Sequence, residues 1–223
     1  PLWSENPGVY AVSLNGGEPE LVTDNAMHPH FGKSSKRVYL MRYAAEGKRE
    51  LISIDLSGND ERSHAISDWA TDFRVSPDEN WIAFTERFNA YITPFVATGK
   101  TVHIGPNEKS IPVAKVTRDA GEYLHWSGDS RSLYWSLGPE LFKRDLNQSF
   151  AFIAGAPEEL PEPPAEGVDI SFTAKSDKPA SRIALIGARI ITMQNGKEVI
   201  ENGTVLVNGN RIEAVGSADE IEI

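Results

Sequence analysis

Three groupings in this chain have residue types that could do chemistry. His28-Pro29-His30 is a literal His-x-His, the form of a ligand pair for a divalent metal. His125, Ser127 and Asp129 have the composition of a catalytic triad, in which an imidazole takes the proton of a serine nucleophile and a carboxylate orients the ring. A third group, Glu158, Glu159, Glu162 and Glu166, gathers four carboxylates that could serve a metal or acid/base site. Each has a plainer reading. His28 and His30 follow no apolar strand, so their place is structural, at the start of a strand or in a turn. Triads are assembled from distant elements so that base and nucleophile face each other, and alternate strand residues followed by a turn Asp do not reproduce that geometry. The four Glu interleave with Pro157, Pro161, Pro163 and Pro164, the composition of an extended, solvated spacer. His103 and His125 read as ordinary strand or surface residues. No Walker-type, dinucleotide-type or nucleophile-elbow glycine motif is present. No catalytic, cofactor-binding or metal-ligating residue is therefore assigned in this chain.

The elements around these residues come from a repeat. One block occurs three times: Phe31 to Leu40, Val75 to Phe84, and Trp126 to Trp135. Each runs large apolar residue, small residue, polar turn, then an alternating apolar strand. The small residues are Gly32, Ser76 and Ser127, so the copies stand 44 and 51 residues apart, the size of a propeller blade. In the middle copy Pro77 presets φ at the first central turn position, while Asp78 and Asn80 bond the backbone locally. A second pattern repeats too: Tyr10 to Gly16 resembles Leu51 to Gly58, with weaker instances at Leu141 to Leu146 and Ala90 to Gly99. Strict alternation with little helical periodicity predicts an all-β chain. The fold expected is a partial β-propeller of four-stranded antiparallel blades, with the five Trp in the core between blades. About three blades, plus the outer half of another at residues 1 to 24, fill 1–155.

A Pro/Glu linker is expected over 156–167 and a small β-sandwich or meander over 168–223. Its expected strands are Ile170 to Ala174, Arg182 to Met193, Glu198 to Ile200, Thr204 to Val207 and Arg211 to Val215. Turns at Asn195-Gly196, Asn202-Gly203 and Asn208-Gly209-Asn210 would separate them, since Asn-Gly supplies the positive φ of tight hairpins. Propellers close with about four to eight blades, so the chain reads as a piece of something longer. It starts at Pro1 with neither a Met nor a signal-type run, which places any targeting segment outside it.

Composition excludes some partners. The 223 residues carry 22 Lys and Arg against 32 Asp and Glu, a net charge of −10, with no basic cluster. Nucleic acid is not an expected partner. No apolar run approaches the length of a membrane span. The absence of Cys removes disulfides, thiolate metal sites and Cys nucleophiles.

The stretch Ile183 to Gly216 resembles the N-terminal β-sandwich strands of the metal-dependent amidohydrolase superfamily. Its most specific part is Gly203-Thr204-Val205-Leu206-Val207-Asn208-Gly209-Asn210-Arg211-Ile212 with Val215-Gly216. The three repeats resemble the blades of TolB-type propellers, WD40-like repeats, most closely at Ser76-Pro77-Asp78-Glu79-Asn80 and least at Gly32-Lys33-Ser34. The joined resemblance implies a bacterial enzyme, periplasmic or secreted, that hydrolyses amide or peptide C–N bonds with a water activated by zinc or another divalent metal at the mouth of a TIM barrel. It implies that this chain, with no cofactor of its own, is the non-catalytic portion. The barrel, whose first His-x-His ligand pair follows the sandwich strands, is then its partner. Open blade edges would also invite self-association. The alternative is a TolB-like module that binds a protein or peptide without enzyme activity.

Overall fold

The computed structural model describes residues 7–177, 180–194 and 198–223. Among these residues the regular elements are β-strands, joined by single-turn 3-10 segments at Ala45–Gly47 and Leu146–Gln148. The chain divides into two compact units, the first ending at Ser171 and the second running from Phe172 to Ile223.

The first unit is a row of antiparallel sheets. Strands β1 (Val9–Ala11) and β2 (Glu20–Thr23) form a two-stranded hairpin. Blade I holds β3 (Met27–Phe31), β4 (Arg37–Tyr43), β5 (Arg49–Asp55) and β6 (Arg62–Ser67) in sequence order. Blade II holds β7 (Ala70–Val75), β8 (Trp81–Glu86) and β9 (Asn89–Pro94), and blade III begins with β12 (Glu122–Trp126), β13 (Ser132–Leu137) and β14 (Glu140–Asp145). Alternation explains why they stack. Along β4, Val38 and Leu40 join a core with Val22 of β2, while Tyr39 and Met41 join a core with Phe73, Ile82 and Phe84 of blade II. Along β8, Ala83 turns the other way, into a third core with Trp126, Leu133 and Trp135 of blade III. A period of two thus sends neighbouring residues into different inter-blade cores, and blade II is packed on both faces. This is propeller-type packing, as the repeat predicts.

Between β9 and the fourth strand of blade II, the chain makes an excursion to blade I. There β10 (Val102–His103) lies parallel to β6, and Ile104 N–H donates to Ile66 O at 2.9 Å. Ile104 is buried in the core of blades I and II. The chain then returns as β11 (Ala114–Lys115) beside β9. Blade I consequently has five strands where four are expected.

The β8–β9 hairpin turns through Arg87 and Phe88, both left-handed at φ 47 and 72. Asn-Gly is the usual occupant of such a turn. Phe88 is 79% exposed, so its ring contributes little packing in return for the strain. Phe88→Gly should therefore raise stability by about 0.5 to 1 kcal/mol, read as a higher urea midpoint at unchanged slope. A lower midpoint would mean that the ring contributes more than its backbone costs.

The tryptophans divide. Trp126 and Trp135 are buried, and Trp81 is half-buried and stacked on Phe150 at 5.1 Å. Trp69, in the β6–β7 turn, is 57% exposed, which corrects the expectation of a core role. Trp3 lies outside the described residues.

The segment 156–167, expected as a free spacer, is tied to blade III. Buried Arg144 on β14 donates to the carbonyls of Pro161 (2.5 Å), Glu162 (2.6 Å) and Gln148 (2.7 Å). The chain beyond it supplies β15 (Val168–Asp169), which pairs with Glu140 and Leu141 as the fourth strand of blade III. The expected strand over Ile170 to Ala174 is absent, and the boundary moves from Val168 to Phe172.

The second unit is a meander of β16 (Arg182–Ile191), β17 (Val199–Asn208) and β18 (Arg211–Ser217). Gly209, at φ 58, makes the tight turn expected between β17 and β18. Asn202-Gly203 does not turn. Gly203 sits inside β17, opposite Ala188 and Ser217, where an added Cβ would strike Ile190. Glycine there serves a close approach, and the two strands expected on either side of it are one. The expected turn at Asn195-Gly196 falls on residues outside those described.

Candidate functional site

The leading edge strands of the three blades, β3, β7 and β12, lie next to one another, with β7 in contact with both of the others. The repeat superposes them residue for residue. His28, Asp72 and Tyr123 occupy one level, three residues before the repeat residues Phe31, Val75 and Trp126. His28 and Tyr123 lie in register slips of β3 and β12 and are left-handed at φ 57 and 56, while the slip in β7 falls just before Asp72. Bulges of this kind re-aim side chains. His28 Nδ1 meets Asp72 Oδ1 at 3.0 Å, and Arg74 Nε donates to Asp72 Oδ2 at 3.0 Å.

The next level holds His30, Arg74 and His125. Val75 N–H donates to His30 Nε2 at 2.9 Å, which fixes the proton on Nδ1, where it is donated to His28 O at 3.1 Å. Burial, opposed by that second bond, holds the His30 pKa down at about 4. Trp126 Nε1 donates to Arg74 O at 2.9 Å, so blade III is pinned to blade II as blade II is to blade I.

The turns form a third level. Ser76 Oγ accepts from the N–H groups of Asn80 (3.2 Å) and Trp81 (3.0 Å) and donates to Asp78. Ser127 does the same with Arg131, Ser132 and Asp129. Asp78 N–H donates to Ser130 Oγ at 3.0 Å, and Lys33 N–H donates to Glu79 Oε1 at 3.0 Å. Gly32 departs from the serine of its sister copies because any Cβ there would collide with Glu79 and Tyr39.

These levels border a cavity of about 330 Å3, walled by His30, Phe31, Arg74, Pro77, Tyr123 and Trp126. Phe31 and Tyr123 are 53% and 80% exposed. Apart from the pairing with Asp72, Arg74 makes no side-chain hydrogen bond among the described residues. Aromatic side chains thus stand beside the Arg74 guanidinium at the rim of this cavity.

The residues singled out in the sequence sort accordingly. His28 and His30 point their nitrogens at different partners, Asp72 and Val75, and do not share a ligand. Ser127 gives its proton to Asp129, with no contact to His125, so the triad-like trio is a turn. His103 stands between Asp68 (3.5 Å) and Glu108 (3.4 Å). Among the described residues no three His, Asp or Glu side chains converge on a point where a metal would sit.

One arrangement escaped the sequence. Arg37 donates to Ser53 Oγ at 3.1 Å, so Ser53 donates to His64 Nε2 at 2.6 Å, and burial holds the His64 pKa at about 4. Ser53 is fully buried, and the pair is structural. The two residues lie on adjacent strands, β5 and β6, and only their register brings them together.

No family model matches the chain, and no curated protein does. Among solved structures it is similar to the β-propeller domain of the trilobed protease from Pyrococcus furiosus, described as revealing an open velcro topology. The likeness has a TM-score of 0.39 at 12% identity and covers 96% of this chain. The chain spans 64% of the length of that structure.

Proposed function

We propose that this chain is the non-catalytic propeller and sandwich portion of a metal-dependent amidohydrolase, periplasmic or secreted, with the propeller as scaffold or substrate filter. The observation that carries this reading is the uncovered face of the second unit. Ile183, Val207 and Ile212 lie side by side across its three strands, as do Leu185, Val205 and Val215. Ile183, Leu185, Ile212 and Val215 are 42%, 55%, 67% and 40% exposed. An apolar sheet face of this kind requires a second layer. The resemblance over Gly203 to Ile212 falls on the same sheet, and a sandwich partner from the rest of such an enzyme would supply that layer.

Zinc or another divalent metal would be held by the barrel. The residues described here do not fit one, and no hydrolytic step is derived for them. The alternative, a propeller module that binds a protein or peptide, draws on the aromatic and cationic cavity between β3, β7 and β12. The test compares the 223-residue chain with the product of its uninterrupted reading frame. An apolar dye such as ANS should bind the chain, and the longer product should lose that binding and protect the amides of β16 and β18 from exchange. Equal dye binding and equal exchange in both would overturn the reading.

A further inference from the structure

A second cavity, of about 320 Å3, opens where the β6–β7 turn, the β8–β9 hairpin and the loop after β10 meet. Its walls include Asp68, Trp69, Glu86, Arg87, His103 and Glu108. Glu86 is 8% exposed, yet it forms no ion pair among the described residues. Its one hydrogen bond is a 3.3 Å donation from Ser67 Oγ, a hydroxyl that also accepts from the N–H groups of Trp69 and Ala70. A buried carboxylate left this way is costly unless a cation joins it. Burial raises its pKa accordingly.

Space lies in front of that carboxylate. A Cβ built on Gly105, across the cavity, would meet Glu86 Oε2 at 3.9 Å and nothing else within 4 Å. Beside it, Trp69 is 57% exposed and carries the Arg87 guanidinium 5.9 Å from its ring centroid, so the ring already accepts a cation. Glu108 is spoken for. Its Oε1 accepts from Lys109 N, Ser110 N and Ser110 Oγ, all at 2.8 Å, and its Oε2 faces His103. The acceptors left for a guest are Glu86 and the half-exposed Asp68. No metal-holding group forms here, and the free acceptor is a single deep carboxylate reached past an aromatic wall. That shape admits a compact organic cation on an alkyl stem, its head at the carboxylate and its stem along the aromatic ring.

We infer that this cavity binds an alkylammonium group, the head of a lysine side chain or a chain's N-terminal amine, with Glu86 as buried counter-ion, Asp68 as second acceptor and Trp69 along the stem. The site is separate from the cavity between β3, β7 and β12 and does not depend on the amidohydrolase reading.

The probes are Nα-acetyl-lysine amide for the side-chain source and glycine amide for the N-terminal source. Nα-acetyl-norleucine amide is the uncharged control. Each is titrated against the full chain at pH 7 and low salt, followed by calorimetry and by the indole N–H resonance of Trp69. Saturable binding of at least one charged probe is expected, with the control at least about tenfold weaker. Binding of the lysine probe alone assigns the side-chain source, and binding of glycine amide alone assigns the N-terminal one. Glu86→Gln and the surface change Trp69→Ala should each weaken binding about tenfold, with far-UV circular dichroism unaltered. Equal binding of the norleucine control, wild-type affinity in either folded variant, or no saturation by either charged probe would overturn the inference.

Discussion

Between pH 6.5 and 4 the first unit should lose several kcal/mol of stability, and His30 should account for the largest share. Its pKa is about 4 in the folded chain against 6.5 for the unfolded one. In that window the unfolded chain binds the proton and the folded chain does not, so stability falls as pH falls. The contribution is complete above pH 6.5, declines through the window and is gone below about pH 4. A shift of this size corresponds to about 3 kcal/mol for His30. His64, also at about 4 but less enclosed, adds a smaller amount of the same sign. The hydrogen-bonded carboxylates act elsewhere: Glu108, held at about 2 by the N–H and hydroxyl of Ser110, loses its contribution below the ordinary carboxylate range. Glu86, raised by burial, works in the opposite sense, but it is common to wild type and variant and cancels in their comparison. His30→Gln keeps an acceptor for Val75 N–H and removes the titration. Urea unfolding at half-unit pH intervals should give a visibly flatter pH dependence for His30→Gln than for wild type. Parallel curves would show that the bond from Val75 to His30 does not set the protonation state.

Arg144→Met should release the segment 156–167 from blade III and cost about 3 kcal/mol. The guanidinium supplies donors to three carbonyls, two in the segment 156–167 and one at the end of the 3-10 turn, and hydrogen bonds to a charged group are worth about 1.5 to 3 kcal/mol each before water replaces part of the loss. Removing a buried charge returns some of that, since Arg144 has no carboxylate partner and its Nε no acceptor among the described residues. The readout is local as well as global. Glutamyl endopeptidase should cut after Glu158, Glu159 or Glu166 much faster in Arg144→Met than in wild type at equal fractions folded. Equal cleavage rates would mean that the segment is already free, as its composition alone suggests.

That contrast shows where sequence reasoning reached and where it stopped. The blades were legible because their turns are local: Ser76, Asp78 and Asn80 bond within five residues, and Ser127 and Asp129 repeat the arrangement. Alternation along β4 and β8 was legible for the same reason, since neighbouring side chains must part to opposite faces. Composition failed where a distant residue decided the outcome. Four prolines and four glutamates read as spacer until Arg144 reaches across from β14. Asn202-Gly203 reads as a turn until Ile190 packs over the glycine. The two-residue strand β10 carries no periodic signal, and its pairing with β6 follows from the burial of Ile104. The two cavities were least legible, because His28 and Asp72 meet only when the blades stack, and Trp69 and Glu86 come to line one cavity only across two turns.

The most direct test of the scaffold reading is metal analysis with intact mass, on the 223-residue chain and on the product of its uninterrupted reading frame. A longer product that holds stoichiometric zinc or a similar divalent metal is expected, with a 223-residue chain that holds none after dialysis. Tightly bound metal in the 223-residue chain, or a metal-free longer product, would contradict it.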